Sequence, residues 1–177
     1  MTATTEAAIF RSGHEALRFA YAYNAQQYPM TIMGRMMRGR PVGSGRGLHG
    51  LDGAAEAGNV KRVVQSLPHD YRHALICRYT LSDREFAESA NALLKPVIAS
   101  FGTGTHYTRM ALKLICRYFG RADYNLATLC DEFRMDAATM TRRWQRCRDR
   151  LKAVESAAEN AADDALVEAG LVTSNCV

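Results

Sequence analysis

Apolar residues recur at three- and four-residue intervals over most of this chain, the spacing of a helix face. No segment alternates apolar and polar positions with β-branched enrichment, so strands are not expected. The pattern predicts an all-α fold: a compact helical domain ending in a helix-turn-helix with a long C-terminal helix. A first helix is expected from Thr5 to about Asn24, with Ile9, Leu17, Phe19, Ala20 and Tyr23 as apolar positions, broken by "QQYPM" at Pro29. Ile32, Met33, Met36 and Met37 suit a short helix. The stretch "RGRPVGSGRGLHGLDG" is then a loop, because Gly39, Gly43, Gly45, Gly47, Gly50 and Gly53 punctuate it. Asp52 can cap a helix from Ala54 to Ser66, whose Ala55, Ala57 and Gly58 permit close helix packing. Leu67-Pro68 stops it, and Pro68 suits the first turn of the helix in "PHDYRHALICRY". Ser82, with Glu85 at the capping-box position, opens a further helix to about Leu94, before Pro96. After a second glycine loop, "SFGTGTHYT", Thr108 opens the next.

The tetrapeptide ICRY occurs twice, at Ile76–Tyr79 and Ile115–Tyr118. In each copy Ile and Tyr are three apart and share a helix face, Cys is a small apolar filler, and Arg leaves from the edge. The flanks "DYRHAL" and "RMALKL" share little, so duplication is not expected. A zinc site on Cys77 and Cys116 would need further ligands, and only His73 and Cys77 stand one helical turn apart. Two similar core-facing helices are the expectation, with no metal.

The stretch "YNLATLCDEFRMDAATMTRRWQRCRDRLKAV" carries the clearest functional pattern. Asn125 can cap a short helix, Leu126 to Phe133, with Leu126, Leu129 and Phe133 on one face. Residues 134–136 form a three-residue turn. Asp136 caps a second helix whose Met140, Trp144, Cys147, Leu151 and Val154 follow each other at intervals of 4, 3, 4 and 3, a single apolar seam. Trp144 is accordingly expected in the core. The other faces carry Arg142, Arg143, Arg146, Arg148, Arg150 and Lys152, with Thr139, Thr141 and Gln145 among them. Helix, short turn and cationic helix is the layout that braces a recognition helix for the major groove. There Arg pairs with guanine and Gln with adenine. The expected DNA-contacting set is Thr139, Thr141, Arg142, Arg143, Gln145, Arg146, Arg148 and Arg150. The alternative is an αα-hairpin with a solvated basic face.

Charge agrees with a nucleic-acid partner. Five acids (Glu155, Glu159, Asp163, Asp164, Glu168) and no Lys or Arg follow Ala153, so the preceding 152 residues hold 23 basic against 13 acidic groups, a net charge of +10. Such a body suits a polyanion. Arg35, Arg38, Arg40 and Arg46 make the first glycine loop basic as well. It is either a connector or an arm that orders on an anionic partner. It lacks the Gly-Lys-Ser/Thr ending of a phosphate loop. The five cysteines include no CxxC pair and are expected reduced. No apolar run is long enough to span a bilayer and no leader pattern stands out, so a cytoplasmic protein is expected. No Ser-His-Asp order, carboxylate pair or cofactor motif appears, and no catalysis or cofactor is expected. The chain divides into an N-terminal helix and basic loop (1–50), a helical core with the helix-turn-helix at 125–152 (51–155), and an acidic C-terminal tail (156–177).

Residues Leu126, Leu129, Phe133, Arg134, Met135, Asp136 and Met140 resemble region four of bacterial sigma factors, with Arg134 in place of the turn glycine and Cys130 where a small residue is usual. "EALRFAYAYNAQQYP", "GRGLHGLDGAAEAG" and "LPHDYRHALICRYT" are similar to small phage-encoded DNA-binding proteins, among them Q-type late-gene antiterminators. The resemblance implies a phage transcription regulator that binds double-stranded DNA near a late promoter, in the cytoplasm of a bacterial host, and then engages RNA polymerase to suppress termination. Some of these relatives have a cysteine-rich zinc insert after the first ICRY, where this chain has "LSDREFAESANALLKP". The other readings are a terminase small subunit or a protein-interaction module without DNA binding. Oligomeric state is not legible in the sequence.

Overall fold

The structure, a computed structural model, describes residues 8–26, 50–99, 101 and 104–173. Among the described residues there are eight helices and no strand, only one isolated bridge. The helices are α1 (Gly13–Gln26), α2 (Gly50–Ser66), α3 (His69–Tyr79), α4 (Asp83–Ala92), α5 (Leu94–Ile98), α6 (Thr105–Tyr118), α7 (Leu126–Phe133) and α8 (Ala137–Glu168). The all-α class expected from periodicity is the class observed. None of these helices is long and apolar enough to cross a membrane. The Met-rich segment and the basic glycine loop up to His49, with Arg35, Arg38, Arg40 and Arg46, lie outside the described residues, whereas Gly50 and Gly53, expected in that loop, belong to the start of α2.

The chain forms two compact units. The first comprises the described residues of Met1–Leu67, Tyr79–Ser82 and Glu159–Val177. Within it α1 packs on α2. Leu17, Ala20, Val60 and Val64 are fully buried, joined by Ala162 and Leu166 from the end of α8. Gly53 lets the first two helices touch, since a Cβ there would lie 2.6 Å from the Tyr23 ring. Gly58, in contrast, faces open space. Gly170, at φ 71°, ends α8 in the left-handed conformation that glycine adopts without strain. The chain then turns to pair with the segment that precedes α1. The Phe10 amide donates to Leu171 O at 3.0 Å and the Thr173 amide to Phe10 O at 3.1 Å.

Three expectations change in this unit. The first helix starts at Gly13 rather than Thr5, because residues around Phe10 pair with residues 171–173. Helix α2 starts at Gly50, so Asp52 sits in its first turn rather than capping it. The acidic segment 156–177 is helical as far as Glu168 and buries Ala158, Ala162, Leu166, Leu171 and Val172.

The second unit comprises Pro68–Arg78 and Asp83–Ala158. Helix α6 is its hub and contacts α4, α5 and α7. Met110, Ala111, Leu114 and Ile115 of α6 are fully buried, as are Leu75, Leu93, Val97 and Leu129. Pro96 does not stop the chain: it is the third residue of α5, where no intrahelical amide is needed. Helix α6 opens at Thr105, three residues before the expected Thr108.

The two ICRY segments present different faces. Cys77 and Tyr79 are buried in the first copy, Ile115 in the second, so the expected common face is not shared. Yet both reach one carboxylate. Arg78 Nε lies 3.1 Å from Glu155 Oε1, and the Tyr118 hydroxyl donates to Glu155 Oε2. Glu155 is itself buried on α8. Arg78 thus balances the charge of this acid and Tyr118, from an unrelated flank, hydrogen-bonds it.

Candidate nucleic-acid interface

Local chemistry fixes the ends of α7 and α8. The Asn125 side chain accepts the Ala127 amide at 3.0 Å, which satisfies one of the free N–H groups at the start of α7. At its other end the Arg134 amide donates to Asp131 O at 3.3 Å and the Met135 amide to Cys130 O at 2.9 Å, a Schellman closure. That closure needs a left-handed residue, and Arg134 supplies it at φ 49°, ψ 51°. It is the only non-glycine with positive φ among the described residues. Asp136 then accepts the Thr139 amide at 2.8 Å. Hydrogen bonds from the Thr139 hydroxyl and amide hold the Asp136 carboxyl below its usual range.

The seam of α8 is buried at Met140, Cys147, Leu151 and Val154. Burial pushes the Cys147 thiol up to about 12. Opposite the seam the side chains are exposed: Thr141, Arg142, Gln145, Arg146 and Arg150. Arg142, Arg146 and Arg150 stand one turn apart and form a continuous ridge. Among the described residues none of the three has an ion-pair partner. Basic side chains elsewhere in this unit do: Lys113 and Arg109 with Glu132, Arg78 with Glu155, Arg84 with Glu88, Arg121 with Asp83. Like charges at this spacing repel within a helix, so the ridge costs stability where it stands.

Three of the expected contact residues do not join this ridge. Arg143 turns inward: its guanidinium lies 4.8 Å from the Tyr107 ring centroid and its Nη1 3.8 Å from Met110 Sδ. It follows Met140 by three residues, and aromatic side chains pack opposite that edge. Thr139 is half-buried and committed to Asp136. Arg148 pairs with its neighbour Asp149 at 3.3 Å. Arg150 alone of the distal arginines joins the open ridge. Trp144, expected in the core, is only half-buried: Arg117 lies over its ring at 5.3 Å, and its remaining surface lines a cleft.

Arg134 is a further basic residue at the turn that the contact set omits. It is exposed beside the start of α8, and the signal for it is an arginine standing where a turn glycine belongs. The His73–Cys77 pair is spent on packing against α4. His73 Nδ1 lies 3.2 Å from Ser89 Oγ, and the Cys77 thiol, pushed up to about 12 by burial, points at Phe86 O. Among the described residues no group of three or more His, Cys, Asp or Glu side chains could hold a metal ion. No protein-family model matches this chain and no curated protein matches it, so a functional reading rests on the residues just described.

Proposed function

We propose that this chain is a sequence-specific regulator that binds double-stranded DNA and acts without catalysis. In this reading α7 braces α8 across the DNA backbone. The first turns of α8 enter the major groove, where Arg142, Arg146 and Gln145 meet base edges. Arg150 and Arg134 meet phosphates on either side. The supporting observation is the ridge of Arg142, Arg146 and Arg150, exposed and without acidic partners among the described residues, on the first four turns of α8 after a capped helix and a three-residue turn. A helix retains such a like-charge ridge at a cost that a polyanion offsets. The finer role rests on the resemblance to Q-type antiterminators: loading onto bacterial RNA polymerase in the host cytoplasm, with the arginines of 35–46 as a second anionic contact.

Fluorescence anisotropy with labelled duplexes at several salt concentrations tests the DNA reading. Arg142→Ala and Arg146→Ala should each cost about 1–3 kcal/mol on a specific site, and Arg150→Ala should mainly flatten the salt dependence. Unchanged duplex affinity in a folded Arg142→Ala, Arg146→Ala double variant would sink it. For the polymerase role, capture of RNA polymerase that survives nuclease treatment is expected, and its loss would leave a plain DNA-binding regulator.

A further inference from the structure

Beside α8 the second unit holds an open cleft of about 560 Å³ that the DNA-facing ridge does not use. Four of its side chains carry chemistry. Trp144 presents part of its indole, held in place because Arg117 lies over the ring and donates to the Tyr124 carbonyl. Arg148, one turn further along α8, lines the cleft with a half-exposed side chain. Its partner Asp149 is 67% exposed, so the ion pair between them is weak and exchangeable. Asp123 stands on the opposing loop, which Gly120, at φ 68°, turns back after α6. Asp123 makes no ion pair among the described residues.

This combination selects by exclusion. Two guanidinium groups repel a cation. A carboxylate on the wall disfavours a bare anion. A fixed indole favours a flat π-system. An aromatic ring carrying a phosphate satisfies all three, and that is a nucleotide. The carboxylate narrows the base. A carboxylate accepts two parallel N–H bonds well, and only guanine, among the common bases, offers two adjacent N–H donors without an intervening acceptor.

We propose that this cleft binds a single unpaired guanine nucleotide, its base stacked on Trp144, its N–H edge on Asp123 and its phosphate on Arg148. The site rests on the nucleic-acid reading of α8 only for where that nucleotide comes from. The guanine could be free or part of a strand, and the test separates the two.

Trp144 is the chain's single tryptophan and therefore its own reporter. The full chain is titrated with GMP, AMP and inorganic phosphate, and with short single strands holding one guanine or none, while indole fluorescence is followed. Saturable quenching by GMP is expected, with AMP about tenfold weaker and phosphate without effect. A one-guanine strand that binds more tightly than GMP identifies a strand as the source, and the reverse order identifies the free nucleotide. Asp123→Asn should remove the preference for GMP over AMP, and Arg148→Ala should weaken both by roughly tenfold, with thermal melting as the check on folding. Equal responses to GMP and AMP, quenching that never saturates, or an Asp123→Asn variant that still discriminates would overturn the proposal. The Arg142→Ala, Arg146→Ala double variant should keep its response to GMP while losing duplex affinity. Loss of the GMP response with duplex binding intact removes the cleft alone, and the opposite result removes the duplex reading alone.

Discussion

Arg134 shows how one residue can carry a local cost. A left-handed non-glycine residue is strained because its Cβ crowds the following carbonyl. Glycine adopts the same angles freely, so Arg134→Gly should raise unfolding free energy by roughly 1 kcal/mol, measured by urea denaturation. If Arg134 meets phosphate, the same variant binds duplex less tightly, so stability and affinity move in opposite directions. The cysteines give a second test at this scale. Only the thiolate reacts with alkylating agents. Cys77 and Cys147, with thiols pushed up to about 12 by burial, should label last at neutral pH, after the half-buried Cys130. Peptide mass spectrometry after brief iodoacetamide exposure reads the order, and early labelling of Cys147 would mean that the α8 seam opens.

At the scale of the element, α7, its turn and the start of α8 were legible because capping is local. Asn125 and Asp136 announce their helices through bonds to amides two and three residues away. What the sequence could not convey is what packs opposite an edge. Arg143 and Trp144 flank the seam, and only the placement of Tyr107 and Arg117 decides that one turns inward and the other lines a cleft. Helix α5 was hidden for a different reason, since Pro96 reads as a stop but also fits a first turn. Capping makes a further prediction. The Asp136 carboxyl is held low by hydrogen bonds from Thr139, and Glu132 by the hydrogen bond from Lys113 and then by Arg109. Groups held low stabilise the fold above their unfolded pKa, and that stability is lost as pH falls through the folded value. Stability should therefore decline below about pH 5. Asp136→Asn retains a capping oxygen but cannot titrate, so its urea midpoint should fall less steeply with acid than that of the wild type. Identical acid limbs would show that the cap contributes nothing to the pH dependence.

At the scale of the molecule, the acidic C-terminal segment has a structural use that net charge concealed. Glu155 anchors Arg78 and Tyr118 in the second unit, and in the first Glu159 accepts the Tyr79 hydroxyl at 3.2 Å, itself 2.8 Å from His14 Nδ1. Leu166, Leu171 and Val172 complete the first core. Deleting residues 159–177 should strip amide protection from α1 and α2 in hydrogen exchange while α6 and α7 keep theirs. Undiminished protection of α1 would mean that the segment is only solvated. The composition of this segment, acids without a compensating lysine or arginine, suggested an appendage. Its apolar positions at four-residue intervals, Ala158, Ala162 and Leu166, carried the contrary signal.

The pairing of Phe10 with residues 171–173 also sets an order of events on the ribosome. Arg11 and Thr173, which share a hydrogen bond there, are 162 residues apart. The first unit closes only after residues 171–173 have been made. The second unit is almost contiguous and can finish earlier, because loops that close over short separations lose less entropy. During translation α1 and α2 thus emerge before the second unit yet settle after it, sheltering their apolar faces only against each other. In that interval the nascent chain offers chaperones and proteases a target that the finished protein no longer presents.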